Sequence, residues 1–287
     1  LGMRPLATPT ERAETCVVCH VGSAEADMNH DLIAAGHPRL NFEFSAFYAN
    51  MPRHWAESDA DLEPAALIRS WAEGQVVTAR AALELTAVRA ASPHPWPEFA
   101  EYDCFACHHD LHAPSWRQQR GFGKHLPGTP LPSTWYLSMP RAMAQTQKLN
   151  LTVAALDKLQ GLMNVPYPNR EAVAAQAKAA ADQLGALQKQ VTGLPYDREA
   201  ARKWFAGLAD EQQSRGLAWD EAAQLYLALA AYDQAYGGAD NKKAHEAVEA
   251  LYKRLAFPRS QNSPGKDASA EHFKGALKDL EALLKAP

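Results

Sequence analysis

The chain has 287 residues, 47% of them hydrophobic, and a formal net charge of −4, enough for one large domain or two ordinary ones around a packed core. No basic stripe accompanies that charge, which argues against nucleic acid as a partner. No apolar run nears the roughly 18 residues that a transmembrane helix requires.

Residues 1–15, LGMRPLATPTERAET, lack a charged segment followed by an apolar one. No export signal is therefore read there, and the start at Leu1 leads us to expect a chain that was processed or cut, with residues upstream. CVVCH follows at 16–20. The stretch NHDLIAAGHPRLNFEF (29–44) predicts a short helix capped by Asn29 and stopped by Gly36 and Pro38. His30 lies inside it, and His37 falls just past its end because the residue before a proline avoids helical geometry. MPRHW (51–55) carries Arg53 and His54.

Residues 61–91 read as one long amphipathic helix or two, with Leu67, Trp71, Val77 and Leu83 on the apolar stripe. ASPHPWPEFAEYD (91–103) is an extended, rigid lead-in to CFACHHDLH at 104–112, and GFGKHLPGTPLPSTW (121–135) is a linker or loop. From about 136 onward five or six helices and no strand are expected. Asn169 and Asp197 are placed to cap two of them, and the short connections favour antiparallel neighbours in a bundle. RSQNSPGKDAS (259–269) is polar and expected to be mobile. The predicted fold is mainly α. A region with little regular sheet, residues 1–130, carries both cysteine motifs, and a helical-bundle domain covers 131–287. The second half has no cysteine and no catalytic cluster; its Ala and Tyr stripes read as core.

All four cysteines stand in two Cys-x-x-Cys pairs, each followed at once by histidine: Cys16, Cys19 and His20, then Cys104, Cys107 and His108. Disulfide stapling suits small secreted domains rather than a chain of this size. Zinc ribbons usually separate their pairs by roughly 15–20 residues, far less than here, although a long insertion leaves zinc open. A thioredoxin-like redox pair is the remaining alternative. With 11 histidines in the chain, chance would place one after both pairs roughly 1 time in 700, and Cys-x-x-Cys-His is the attachment signature of c-type haem. Two cysteines three apart on a helical turn point to one side, where each can add to a porphyrin vinyl group, while the next residue projects towards the iron. On that reading the cofactor is haem c at two visible sites, and His20 and His108 are the proximal iron ligands.

The sixth iron position decides function: methionine raises the potential, a second histidine gives a lower-potential carrier, and an open position allows ligand binding. The candidate distal ligands are His30, His37 and His109. The bland alternative for each is a surface histidine or one bonded to a carbonyl. His109 follows the proximal residue directly, so it would face a neighbouring iron. Met28, Met51 and Met139 are second choices.

The run TCVVCHVGSAEADMNHDLIAAGHPRLNFEFSAFYANMPRHW and the later YDCFACHHDLHAPSWRQQRG together resemble multihaem c-type cytochromes of the cytochrome c554-like family, over about residues 10–125. The pair His108–His109 is similar to the small tetrahaem cytochromes, in which the second histidine ligates another haem. The resemblance implies closely packed haems, mostly with two histidine ligands, passing electrons in the periplasm. Such proteins usually carry four or more haems, so the two motifs here imply further attachment sites upstream. The expected function is electron transfer between redox partner proteins, with no nucleic acid and no transmembrane segment in the chain. Covalent haem implies an exported, periplasmic location, because thioether formation needs reduced thiols and exported haem. The alternative is a haem enzyme with one open iron acting on a small nitrogen or oxygen species, with His54, Arg53 or Arg39 as the distal polar group.

Overall fold

The computed structural model describes residues 5–52, 59–104, 107–108, 127–215, 218–237 and 242–255. The protein is mainly helical, as the sequence predicts. Among the described residues there are eleven α-helices and no strand, and the β pairings are isolated bridges, Ser23 with Ala26 and Tyr102 with Pro132.

Helix α1 (Pro9–His20) opens with a capping box: Thr8 Oγ1 accepts from the Glu11 amide at 3.2 Å and the Glu11 carboxylate accepts from the Thr8 amide at 2.9 Å. Two donors that the helix itself cannot satisfy are thereby paired, and Pro9 sits where its missing N–H costs nothing. The predicted short helix is α2 (His30–Ala34), capped by Asn29 Oδ1 on the Leu32 amide at 3.0 Å. It stops at Gly36, whose φ of +111° suits glycine, and His37 lies beyond its end. Helix α3 (Phe44–Asn50) is capped by the buried Glu43 carboxylate, which accepts from the Ser45 and Ala46 amides at 3.2 and 2.7 Å.

After α4 (Asp59–Leu62), the stretch to residue 91 forms one helix, α5 (Pro64–Ala91). It is one helix rather than two, and its burial extends beyond the stripe, since every residue from 71 to 79 is buried. The cause is its neighbours: α1 and α3 pack on it from one region of the chain, and helices of the second half enclose the rest. Its buried polar residues find partners there. Glu73 accepts from the Thr10 hydroxyl at 2.6 Å, and Gln75 donates to Glu43 at 3.3 Å and to Gln224 at 3.2 Å. Without those partners each buried polar group would cost about 1–3 kcal/mol.

Six helices follow: α6 (Ser138–Thr146), α7 (Asn150–Met163), α8 (Arg170–Gly193), α9 (Arg198–Arg215), α10 (Trp219–Tyr236) and α11 (Lys242–Leu255). The predicted caps hold, with Asn169 Oδ1 on the Ala172 amide at 2.8 Å and Asp197 Oδ1 on the Glu199 and Ala200 amides at 3.1 and 3.0 Å. Helix α8 lies along α5 in the most extensive packing of the molecule, and the larger core is continuous across residue 130. Trp71 of α5, for instance, meets Phe205 of α9 with ring centres 4.8 Å apart. A smaller cluster of Ala13, Val17, Val21, Phe42, Phe44 and Val77 joins α1 and α3 to the opposite side of α5. The lead-in at 99–103 pairs with 131–133 through Asp103 N–H to Leu131 O and Ser133 N–H to Glu101 O, both 2.8 Å. Residues 259–269 lie outside the described residues.

Candidate functional site

The first cysteine motif is the last turn of α1. Val17 is buried in the smaller core, which turns Cys19 and His20 outward and leaves Cys16 half-buried. The His20 ring stacks on Phe42 (centres 4.8 Å apart, planes 20° apart) and meets the edge of Phe47 at 5.4 Å. Beside it a cavity of about 460 Å³ is lined by Cys16, His20, Phe42, Phe44, Phe47 and Met51. That volume falls within the usual range for cofactor pockets, about 300–1,000 Å³, and its lining is nearly all apolar. The aromatic floor is fixed from behind. Trp135 Nε1 donates to Phe42 O at 3.0 Å, and the Tyr136 hydroxyl donates to Leu40 O; burial pushes that hydroxyl up to about 12. Burial, and then the neighbouring Cys19, also push the Cys16 thiol above its ordinary value.

The second motif forms a single turn in which the Cys107 and His108 amides both donate to Cys104 O, at 3.2 and 2.7 Å. Cys104 is half-buried; Cys107 and His108 are exposed. Burial raises the Cys104 thiol, while the guanidinium of Arg39, which hydrogen-bonds it, pulls the other way. Arg39 is itself held by Ser133 Oγ at 2.5 Å and Asp220 at 3.7 Å.

The histidine brought to His108 is His30. The two ring centres are 6.5 Å apart, with planes inclined by 32°, and Phe99 meets the His30 ring edge-on at 5.6 Å. Glu98 Oε1 accepts from the His30 amide at 2.8 Å, anchoring the start of α2 to the lead-in of the second motif.

His37 is exposed, and its Nδ1 lies 2.8 Å from Pro38 O. Donating Nδ1–H there leaves Nε2 as the nitrogen with a free lone pair, the tautomer of a metal-binding imidazole. His109, His54 and Arg53 lie outside the described residues. Met139 is fully buried in the core and is no candidate ligand; Met51 lines the His20 cavity; Met28 O accepts from Arg89 at 2.9 Å. None of the four cysteines forms a disulfide, and among the described residues no three His, Cys, Asp or Glu side chains converge as a metal-ion cluster. A separate, more polar cavity of about 500 Å³ lies between α6, α7, α9 and α10 and includes Glu101, Arg141 and Glu221.

Sequence reasoning missed two groups of residues. The aromatic floor had a signal, Phe42 and Phe44 alternating into Phe47 and Tyr48 at helical spacing. Arg89 and Glu98 had none, because the partners that tie them to α2, Asp27 and His30, are 62 and 68 residues distant.

Compared with known proteins, the chain matches no family model, no curated protein and no solved structure.

Proposed function

We propose that the chain is an electron carrier holding two covalently attached haems, one on Cys16, Cys19 and His20 and the other on Cys104, Cys107 and His108, with His30 the second axial ligand of the latter. The observation that carries this reading is the 6.5 Å between the His30 and His108 ring centres. A metal–imidazole bond is about 2.0–2.1 Å long and the ring centre lies roughly 1.1 Å behind its nitrogen, so two imidazoles on one iron have centres about 6.3 Å apart. The 6.5 Å between the two ring centres is close to that spacing, which supports the reading. The donor set also suits the group: paired thiols for the vinyl carbons, an imidazole in the next position, and for the first site an apolar shelf of the kind that shields a porphyrin face.

When bound, such a group supplies one-electron chemistry at a potential set by its axial ligands and surroundings. The protein's part is to supply both imidazoles at the second site, which leaves no position there for a substrate. His37, an exposed residue whose Nδ1 is engaged by Pro38 O, is assigned to a different iron from that of His30. This reading places the protein with multihaem cytochromes of the cytochrome c554-like family, in an exported, periplasmic setting, passing electrons between protein partners.

The test is a haem stain on a denaturing gel and a pyridine haemochrome count, followed by reduced spectra with and without carbon monoxide for the wild type and His30→Ala. Two covalent haems, and a gain of carbon monoxide binding by about one haem per chain in the variant, are expected. An unstained band would overturn the haem reading in favour of zinc. A wild-type second site that already binds carbon monoxide would favour the enzyme.

A further inference from the structure

The two imidazoles of the second site belong to segments with little structure of their own: α2 has five residues and the 104–108 motif is a single turn. Both segments are tied to the C-terminal end of α5 by one side chain. Arg89, 9% exposed, donates through Nε and Nη2 to Asp27 Oδ1 at 3.0 and 2.5 Å, and through Nη2 to Met28 O at 2.9 Å. These partners are the two residues just ahead of the α2 cap, Asn29. On its other side Nη1 donates to Glu101 Oε1 at 2.7 Å, three residues before Cys104. The second oxygen of Glu101 accepts from Thr86, one turn earlier on α5, at 2.8 Å. The planar guanidinium, with five donors in fixed directions, spans two carboxylates and a carbonyl at once, which a lysine ammonium cannot reproduce.

We propose that Arg89 is a positioning residue that sets the gap between His30 and His108, and through it the coordination state of the second haem; this rests on the haem reading above. Each arm of the clamp holds one ligand-bearing segment, and both arms leave from a single rigid point on a helix buried along much of its length. Removing the guanidinium leaves Asp27 and Glu101 as facing anions in a half-buried site, and like charges there drive the two segments apart. An iron–imidazole bond tolerates a change of only a few tenths of an ångström, so separation opens the sixth position while the thioether bonds, which do not involve His30, remain.

The test uses the haem-loaded full chain as wild type, Arg89→Gln, Arg89→Lys and Asp27→Asn, with haem count, carbon monoxide difference spectra and low-temperature electron paramagnetic resonance. Asp27→Asn weakens one arm alone and carries the test if Arg89→Gln does not fold. We expect every variant to keep the wild-type number of covalent haems. Arg89→Gln should gain carbon monoxide binding by up to one haem per chain together with a high-spin signal. Asp27→Asn and Arg89→Lys should show a smaller fraction of the same change, and added imidazole should reverse it. If the variants lose thermal stability but retain wild-type spin state and carbon monoxide response, Arg89 is a fold-stabilising residue only and the proposal is overturned. A wild type without covalent haem, or a His30→Ala variant spectrally identical to wild type, marks failure of the underlying reading instead.

Discussion

Gly74 offers a direct check on the packing that builds the first site. In the middle of an exposed helix, glycine to alanine stabilises by about 1 kcal/mol. Here the added methyl carbon would lie 2.7 Å from Phe44 Cδ1, 2.8 Å from Phe44 Cβ and 3.0 Å from Phe44 Cγ. Because one of those atoms is the Phe44 Cβ, rotating the ring brings no relief, and α3 must move away from α5 by about 0.6 Å or more to reach ordinary contact near 3.4 Å. Overpacking of this kind costs about 1–3 kcal/mol, so Gly74→Ala should lose the helix-propensity gain and destabilise by up to about 2 kcal/mol net. Urea unfolding followed by far-ultraviolet circular dichroism reads that directly, and a thermal midpoint lower by about 2–4 °C per kcal/mol should accompany it. Gly161 of α7, with nothing within 4 Å of an added carbon, is the control: Gly161→Ala should stabilise by about 0.5–1 kcal/mol. Since Phe44 lines the His20 cavity, the proposed haem reading further expects the displacement to disturb the spectrum of the first site more than that of the second. If Gly74→Ala behaved like Gly161→Ala, the close approach of α3 to α5 would be wrong, and with it the aromatic floor.

Thr8→Ala removes the side-chain half of the α1 capping box and should cost about 1 kcal/mol; faster amide exchange across the first turn of α1, with no change around α8, would show it, and unchanged exchange there would refute it. Glu221 gives a pH signature. Burial, and then the adjacent Asp220, push its carboxyl from 4.5 up to about 7. The folded chain thus keeps a proton that the unfolded chain releases above about 4.5, so stability falls as pH rises from about 4.5 to 7 and levels off above. That gap is worth about 2–3 kcal/mol once the side chain's remaining solvent contact is allowed for. Glu221→Gln keeps the carbonyl oxygen that can cap the Ala218 amide and should flatten this part of the curve; a variant curve parallel to that of the wild type would refute the assignment.

What the sequence made legible was local. The caps at Asn29, Asn169 and Asp197 and the end of α2 at Gly36 depend on residues within one turn of each other and stand as expected, as do the six helices among the described residues after 136. Helix α5 was legible as a helix but not in its setting. Glu73 and Gln75 are polar residues on it, and their partners at Thr10, Glu43 and Gln224, brought from three other helices or their caps, pair them where they are buried. The candidate site divides in the same way. Cys16, Cys19, His20, Cys104, Cys107 and His108 are contiguous motifs and are readable at once. The choice among histidines is not: His30 opens one short helix and His37 lies just past its end, and the contacts that tie the His30 end to the lead-in of the second motif, Glu98 on the His30 amide and Arg89 between Asp27 and Glu101, are long-range.

The two sites are built by different physics on one support. The first sits at the end of a twelve-residue helix whose inner face belongs to an apolar core, so its geometry follows from packing. The second is a single turn held by charge-assisted hydrogen bonds, strong because they are half-buried and directional. Both rest on α5: Gly74 and Val77 lie under the first, Thr86 and Arg89 under the second. Fifteen residues separate Gly74 from Arg89, about 22 Å along a helix axis. A helix enclosed by α1, α3, α8 and α10 cannot bend without breaking contacts on several sides at once. On the proposed reading, in which single electrons pass between two fixed centres, a buried helix spanning both candidate sites is the element that would keep their separation constant. The spacing of the two candidate sites thereby depends on the whole bundle, including the half of the chain that carries no cysteine.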